Sequence, residues 1–193
     1  MADGEKFLTI VSGLPRSGTS MMMRMLEAGG IPALIDNIRK PDEDNPRGYY
    51  EYEPVKQTRK DPSWLKHAEG RVVKMVYRLL YDLPPDYQYR VVFMRRKLEE
   101  VIASQNVMLA RQAKPGGSLS DDKLMAVFRT ELESVYRWLE KQPNFRVLFV
   151  DYNEIMADAG PAVDALNRFL GGNLNTAAMR NVVEPELYRQ RRA

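Results

Sequence analysis

The sequence predicts an α/β domain with a mostly parallel sheet flanked by helices. Three observations carry this. Short apolar runs alternate with segments of helical periodicity. A glycine-framed turn, Gly13 to Ser20, joins the first run to the first helix. The chain has 193 residues, 44% of them hydrophobic, which fits one domain with one buried core, taken here as 1–193.

Phe7 to Val11 is an apolar run that stops at Ser12-Gly13, as a buried parallel strand does. Apolar spacing at Thr19, Met22, Met23 and Leu26 marks one face of a helix that Gly29-Gly30 end. The four methionines Met21, Met22, Met23 and Met25 read as core filler on that helix. Ile31 to Ile35 is expected to form a short second strand. Residues 36–63 carry turn chemistry at Asp36-Asn37, Pro41 to Pro46 and Asp61-Pro62. A loop of that length inside a compact domain is functional or disordered, and Tyr49, Tyr50 and Tyr52 argue for order. Further strands are expected at Arg71 to Tyr77, Tyr89 to Met94 and Phe145 to Val150. Helices are expected at Leu98 to Arg111, Ser120 to Lys141 and Pro161 to Leu170, with a break at Lys114 to Gly117. The segment from Met179 to Ala193 has no clear reading.

Composition excludes several chemistries. There are no cysteines, so a disulfide scaffold, a zinc ribbon, an iron–sulfur cluster and a thiol nucleophile are all out. One histidine, His67, leaves little scope for a His-based metal site, and no metal site is expected. Lys plus Arg count 29 against 26 acids, a net charge of +3, which argues against a nucleic-acid partner. No apolar run approaches the ~20 residues of a membrane helix, and Met1 to Lys6 lack a signal-peptide layout. A cytoplasmic location without membrane partners is the expectation.

The turn Gly13-Leu14-Pro15-Arg16-Ser17-Gly18-Thr19-Ser20 has the G-x-x-x-x-G frame of a phosphate-binding P-loop, with Thr19 in place of the usual Lys. Its physics survives that change. Two glycines let successive N–H groups face one point, and the following helix directs its positive end there. Thr19 and Ser20 add hydroxyls, and Arg16 adds the cation. Asp151, at the end of the last strand, is a possible Mg²⁺ residue for a kinase working on this loop.

Pro15-Arg16-Ser17-Gly18-Thr19-Ser20 resembles the phosphosulfate loop P-[KR]-S-G-T-[ST] of the sulfotransferase family, which uses 3′-phosphoadenosine 5′-phosphosulfate (PAPS). A second family motif is a strand ending in Arg with Ser eight residues on, both binding the 3′-phosphate. Arg96 and Ser104 match it, and Glu100 matches an acidic position between them. Asp151 to Ile155 is similar to a Y-E-D-L segment, and Asn45 to Glu51 to an N-P-x-G-Y-x-E segment of bacterial relatives. The resemblance spans Phe7 to about Leu170 and implies a P-loop-like sulfotransferase architecture, PAPS as donor, and a small hydroxyl or amine acceptor. It implies donor binding by Pro15, Arg16, Ser17, Gly18, Thr19, Ser20, Arg96 and Ser104.

The chain also departs from the family. Lys74 matches the Lys of a K-T-H strand motif, but Val76 stands where its His would be. Met21 or Met22 replaces a Trp that stacks on adenine, and the C-terminal glycine-rich loop is missing. The chemistry needs fixed positive charge on the transferring group and a base for the acceptor. Arg16 and Lys74 are the candidates for the charge. Glu51 is the preferred base, because some family branches use a Glu soon after the first helix; Glu43, Glu53 and His67 are rivals. Tyr49, Tyr50, Trp64 and Tyr77 are candidates for an acceptor pocket or, equally, for the core. Arg180, Arg189, Arg191 and Arg192 read as a solvated tail, while the resemblance makes them candidates for the 3′-phosphate, as basic C-terminal residues are in relatives. A small-molecule or nucleotide kinase and a non-catalytic nucleotide-binding protein are the alternatives.

Overall fold

The computed structural model describes residues 6–111 and 119–184. Four strands form one parallel sheet in the order β2-β1-β3-β4, with β1 at Leu8–Gly13, β2 at Val72–Val76, β3 at Tyr89–Arg95 and β4 at Phe145–Asp151. Every residue of β1 is buried, because β1 is a central strand with helices on both faces. That placement explains the unbroken apolar run: a strand covered twice has no solvent side to mark with polar residues.

Two cores lie on the two faces. On one face α1 (Thr19–Ala28), α4 (Tyr152–Ala157), α5 (Gly160–Phe169) and α6 (Thr176–Arg180) pack on Val11, Val72, Val92 and Met94. Met22, Met23 and Met25 are fully buried there, so three of the methionines are core filler; Met21 instead borders the cleft described below. On the other face α3 (Asp121–Leu139) lays Val135 and Leu139 against Ile10, Val91 and Phe93. There α2 (Leu98–Arg111) contributes Val101, and 3₁₀ turns at Glu53–Gln57, Ser63–His67 and Tyr77–Asp82 complete the layer. No described helix is long and apolar enough to cross a membrane.

The expected strand at Ile31 to Ile35 does not form. A single bridge links Ala33 to Val72, with Leu34 N–H donating to Val72 O and Val72 N–H donating to Pro32 O. Pro32 has no N–H of its own, so the ladder cannot extend through it. The strand expected to reach Tyr77 ends at Val76, where a 3₁₀ turn begins. Two short helices, α4 and α6, are additional to the expected elements. The start of α6 is capped by Asn175, whose side chain accepts from Ala178 N–H. The break at Lys114 to Gly117 lies outside the described residues.

Candidate active site

The turn after β1 opens at the carboxyl edge of the sheet, where α/β proteins bind ligands. Gly13 has φ +147° and Gly18 φ +93°. Neither position tolerates a side chain. A Cβ on Gly13 would meet Met94 O at 2.7 Å, and one on Gly18 would meet the Tyr152 ring at 2.4 Å. Arg16 also lies in the left-handed region, at φ +72°, a conformation that costs a non-glycine residue about 1–3 kcal/mol. Arg96 holds it there, its guanidinium donating to Arg16 O at 3.0 Å. Ser17 closes the turn with both its N–H and its hydroxyl on Leu14 O. Gly18 is the N-cap of α1 and supplies no side-chain cap, so the first-turn N–H groups point outward without helical partners.

Arg96 and Ser104 reach the same loop. Arg16 Nε donates to Ser104 Oγ at 2.9 Å across 88 residues of sequence. Arg96 is held from behind by Glu100 at 2.9 Å, a carboxylate with no solvent exposure. Asn153 donates to the other oxygen of Glu100 and accepts from Lys97 N–H. The Asp151 to Ile155 segment thus props the β3–α2 turn. It also supplies Tyr152, whose ring packs on Gly18 and lies 4.5 Å below the Arg96 guanidinium.

On the other side of β1, Lys74 projects from β2. Its ammonium donates to Tyr49 O and to Ser20 Oγ at 3.5 Å. Burial lowers its pKa to about 8, against a smaller upward pull from Glu51. Glu51 borders the same cleft and is paired with Arg39 at 2.9 Å and Lys56 at 3.8 Å. The cleft has a volume of about 490 Å³. Pro15, Arg16, Gly18, Thr19, Ser20, Glu51, Lys74, Arg96 and Ser104 all line it. Ser17 is buried beneath, shaping the turn. Burial lowers the pKa of Arg16, and Asp44 is the strongest counterweight.

The rival bases lie elsewhere. His67 is exposed and not on the cleft. The Glu43 side chain is 86% exposed, and Glu53, which does not line the cleft, pairs with Lys56, which does. Among the candidate acceptor aromatics, Tyr49 lines the cleft, Trp64 and Tyr77 are core, and Tyr50 donates to Glu27. Arg180 pairs with Asp164, away from the cleft, and Arg189, Arg191 and Arg192 lie outside the described residues. Asp151 accepts from Arg95 at 2.6 Å across the β3–β4 register and does not line the cleft, so the residue a kinase would use for Mg²⁺ is committed to an interstrand pair.

Sequence reasoning missed Asp44, Arg111, Arg39 and Glu184. Arg111 Nη1 meets Asp44 Oδ1 at 2.6 Å, and Glu184 joins Arg24 to Arg47 at the cleft rim. None belongs to a motif; only the inward-facing loop that carries Asp44 and Arg39 was flagged, by its length and tyrosines.

A family model described as a sulfotransferase domain matches residues 119–190, the stretch that holds α3, β4 and α4 to α6. A crystal structure of a sulfotransferase from Alicyclobacillus acidocaldarius has a similar fold, with a TM-score of 0.50, 17% identity, and coverage of 94% of this chain and 87% of that one. No curated protein matches. The family match covers less than half of the chain, and the solved structure, at 17% identity, shows a shared fold.

Proposed function

We propose that the protein is a PAPS-dependent sulfotransferase acting on a hydroxyl or amine of a small acceptor. One observation carries the reading: the Pro15 to Ser20 loop, Arg96 and Ser104, distant in sequence, meet at one point of one cleft. The residues present suit an anionic adenine nucleotide. The outward N–H groups of the loop, Thr19, Ser20 and Arg16 would hold the 5′-phosphosulfate. Arg96 and Ser104 would hold the 3′-phosphate, and Val107, Met108, Tyr152 and Met156 offer an apolar wall to the base. When bound, PAPS supplies the sulfuryl group.

The chain's own residues then have defined tasks. Arg16, bonded to Ser104, and Lys74, 3.5 Å from Ser20 Oγ, are the cations for the charge that develops on transferring and leaving oxygens. Lys74, half-titrated near pH 8, gains a full charge beside an anion and can release a proton when the anion leaves. Glu51 takes the acceptor proton, with Arg39 and Lys56 orienting its carboxylate. The apolar side chains Val55, Met75, Val76 and Leu79 floor the acceptor end.

The test is a thermal-shift comparison. At about 100 times its Kd, 3′-phosphoadenosine 5′-phosphate should stabilise the protein by about 2.7 kcal/mol, a rise of roughly 5–10 °C. ATP with Mg²⁺ should give a much smaller rise. A shift with ATP and Mg²⁺ alone overturns the reading in favour of a kinase. Transfer of labelled sulfate from PAPS to a panel of phenols, alcohols and amines then identifies the acceptor.

A further inference from the structure

The cations of the proposed donor site already have an anion. Asp44 sits in a turn beside Glu43, which is 86% exposed, yet the Asp44 side chain is 6% exposed. The turn is fixed by Asp42, whose carboxylate accepts from the N–H groups of Asp44 and Asn45 and from the Tyr49 hydroxyl. That turn aims Asp44 inward. Its carboxylate meets Arg111 at 2.6 Å, and its main-chain oxygen accepts from Arg16 Nη2 at 3.1 Å. Both arginines line the cleft with Ser104.

We propose that Asp44 is a built-in competitor for the donor, occupying Arg16 and Arg111 until an anionic phosphate displaces it. The inference rests on the donor-site reading and adds a partner that reading does not contain. Like charges in one part-enclosed site exclude each other, so a phosphate on Arg16 and the Asp44 carboxylate on Arg111 cannot share the ground. The displacement is coupled to the acceptor side. Asn45 donates to Ser20 Oγ at 3.0 Å, and Tyr49 O accepts from both Ser20 and Lys74. Moving Asp44 draws on the same turn, so donor arrival frees the Ser20 hydroxyl and the Lys74 ammonium for the transferring group.

The experiment is isothermal titration of the full chain with two probes, 3′-phosphoadenosine 5′-phosphate and inorganic pyrophosphate. Asp44→Asn keeps the shape and removes the charge. It should bind both probes about tenfold or more tightly than the wild-type chain, and Asp44→Ala should do the same. Arg111→Gln breaks the same ion pair but also removes a cation, so it should bind neither probe more tightly. Asp164→Asn, an equal charge change on the exposed Arg180 pair, should leave both Kd values unchanged. An Asp44 variant that binds no more tightly than wild type overturns the proposal, as does equal tightening by Arg111→Gln. If the nucleotide binds wild type and the Asp44 variants equally, the donor reading stands and the competitor falls. If only pyrophosphate binds, and more tightly to the Asp44 variants, the competitor stands and the PAPS reading falls. Binding of neither probe to any protein overturns both.

Discussion

The proposed donor side of the cleft and its β2 side are built by different means. On the donor side, backbone geometry does the positioning. Gly13, Gly18 and the left-handed Arg16 shape a turn between a central strand and a helix, and the fully buried Glu100, itself held by Asn153, braces Arg96. On the β2 side, side chains do it. Lys74, Tyr49, Arg39, Glu51 and Lys56 hold one another in a chain of polar contacts from a long irregular loop. The first kind of site is rigid because its alternatives clash. The second is adjustable, because exposed ion pairs contribute little, about 0–1 kcal/mol each. Under the proposed function the division is useful: the reacting group needs a fixed cradle, while the acceptor must enter and leave.

Glu100 offers the hardest break. Its carboxylate has no exposure, and removing it leaves the Arg96 guanidinium, 8% exposed, without that partner. Glu100→Ala should lose about 3–5 kcal/mol in urea unfolding. It should also weaken nucleotide binding, because Arg96 both holds Arg16 and faces the cleft. A stability loss below about 1 kcal/mol would show that the donor side is not braced from behind. Next in size is Gly18→Ala. Its φ of +93° and the Tyr152 ring 2.4 Å from a new Cβ act together, so about 3 kcal/mol should be lost. The control, Gly48→Ala, shares a positive φ but has only Pro41 at 4.0 Å, and should lose clearly less.

The same division governs what could be read from the sequence. The donor side was legible because backbone constraints select residue types at fixed spacing: glycines, a hydroxyl pair after them, a strand running into Arg96, and Ser104 eight residues on. The fold was legible for a related reason, since burial of β1 on both faces forces an apolar run. What failed was local. Pro32 removed a donor inside an apolar run, and α4 and α6, of 6 and 5 residues, are too short for periodicity to reveal. The Asp44–Arg111 pair joins positions 67 residues apart in the chain, and nothing at either end marks the other. Long-range polar pairing has no period and leaves no signature in one sequence.

The β2 side sharpens the comparison through catalysis. Glu51→Gln should lower kcat at least a hundredfold, within the range of a lost general base, with the Kd for 3′-phosphoadenosine 5′-phosphate unchanged. A weakened nucleotide Kd would make Glu51 part of the donor cradle instead. Lys74 gives a smaller, pH-dependent effect. Its pKa in the fold, about 8, lies below the unfolded value of 10.5. The unfolded chain therefore binds more protons between these values, and stability contributed by this group rises with pH across that window. Below pH 8 both states are protonated and the full cost of the buried charge is present. The expected slope is up to about 1.4 kcal/mol per pH unit. Lys74→Met should lack it, so the wild-type and variant curves, compared from pH 8 to 9.5, should converge or cross as pH rises. Parallel curves would mean that Lys74 keeps an ordinary pKa.

The smallest effect belongs to His67, and it separates a motif from a position. Sequence alone left it a rival base, as the chain's one imidazole. In the fold it closes a 3₁₀ turn on the surface, and the turn's anchors are its neighbours Trp64 and Leu65, buried at 2% and 0% exposure. His67→Ala should therefore shift stability by less than about 0.5 kcal/mol and leave kcat and its pH profile as they were. Trp64→Ala, three residues earlier in the same turn, should lose about 3–5 kcal/mol. If His67→Ala instead lowered kcat and flattened the pH profile near neutrality, the proton acceptor would lie outside the cleft that Arg16, Lys74 and Glu51 define. The β2 side would then have to close over a surface now open to water before transfer could occur.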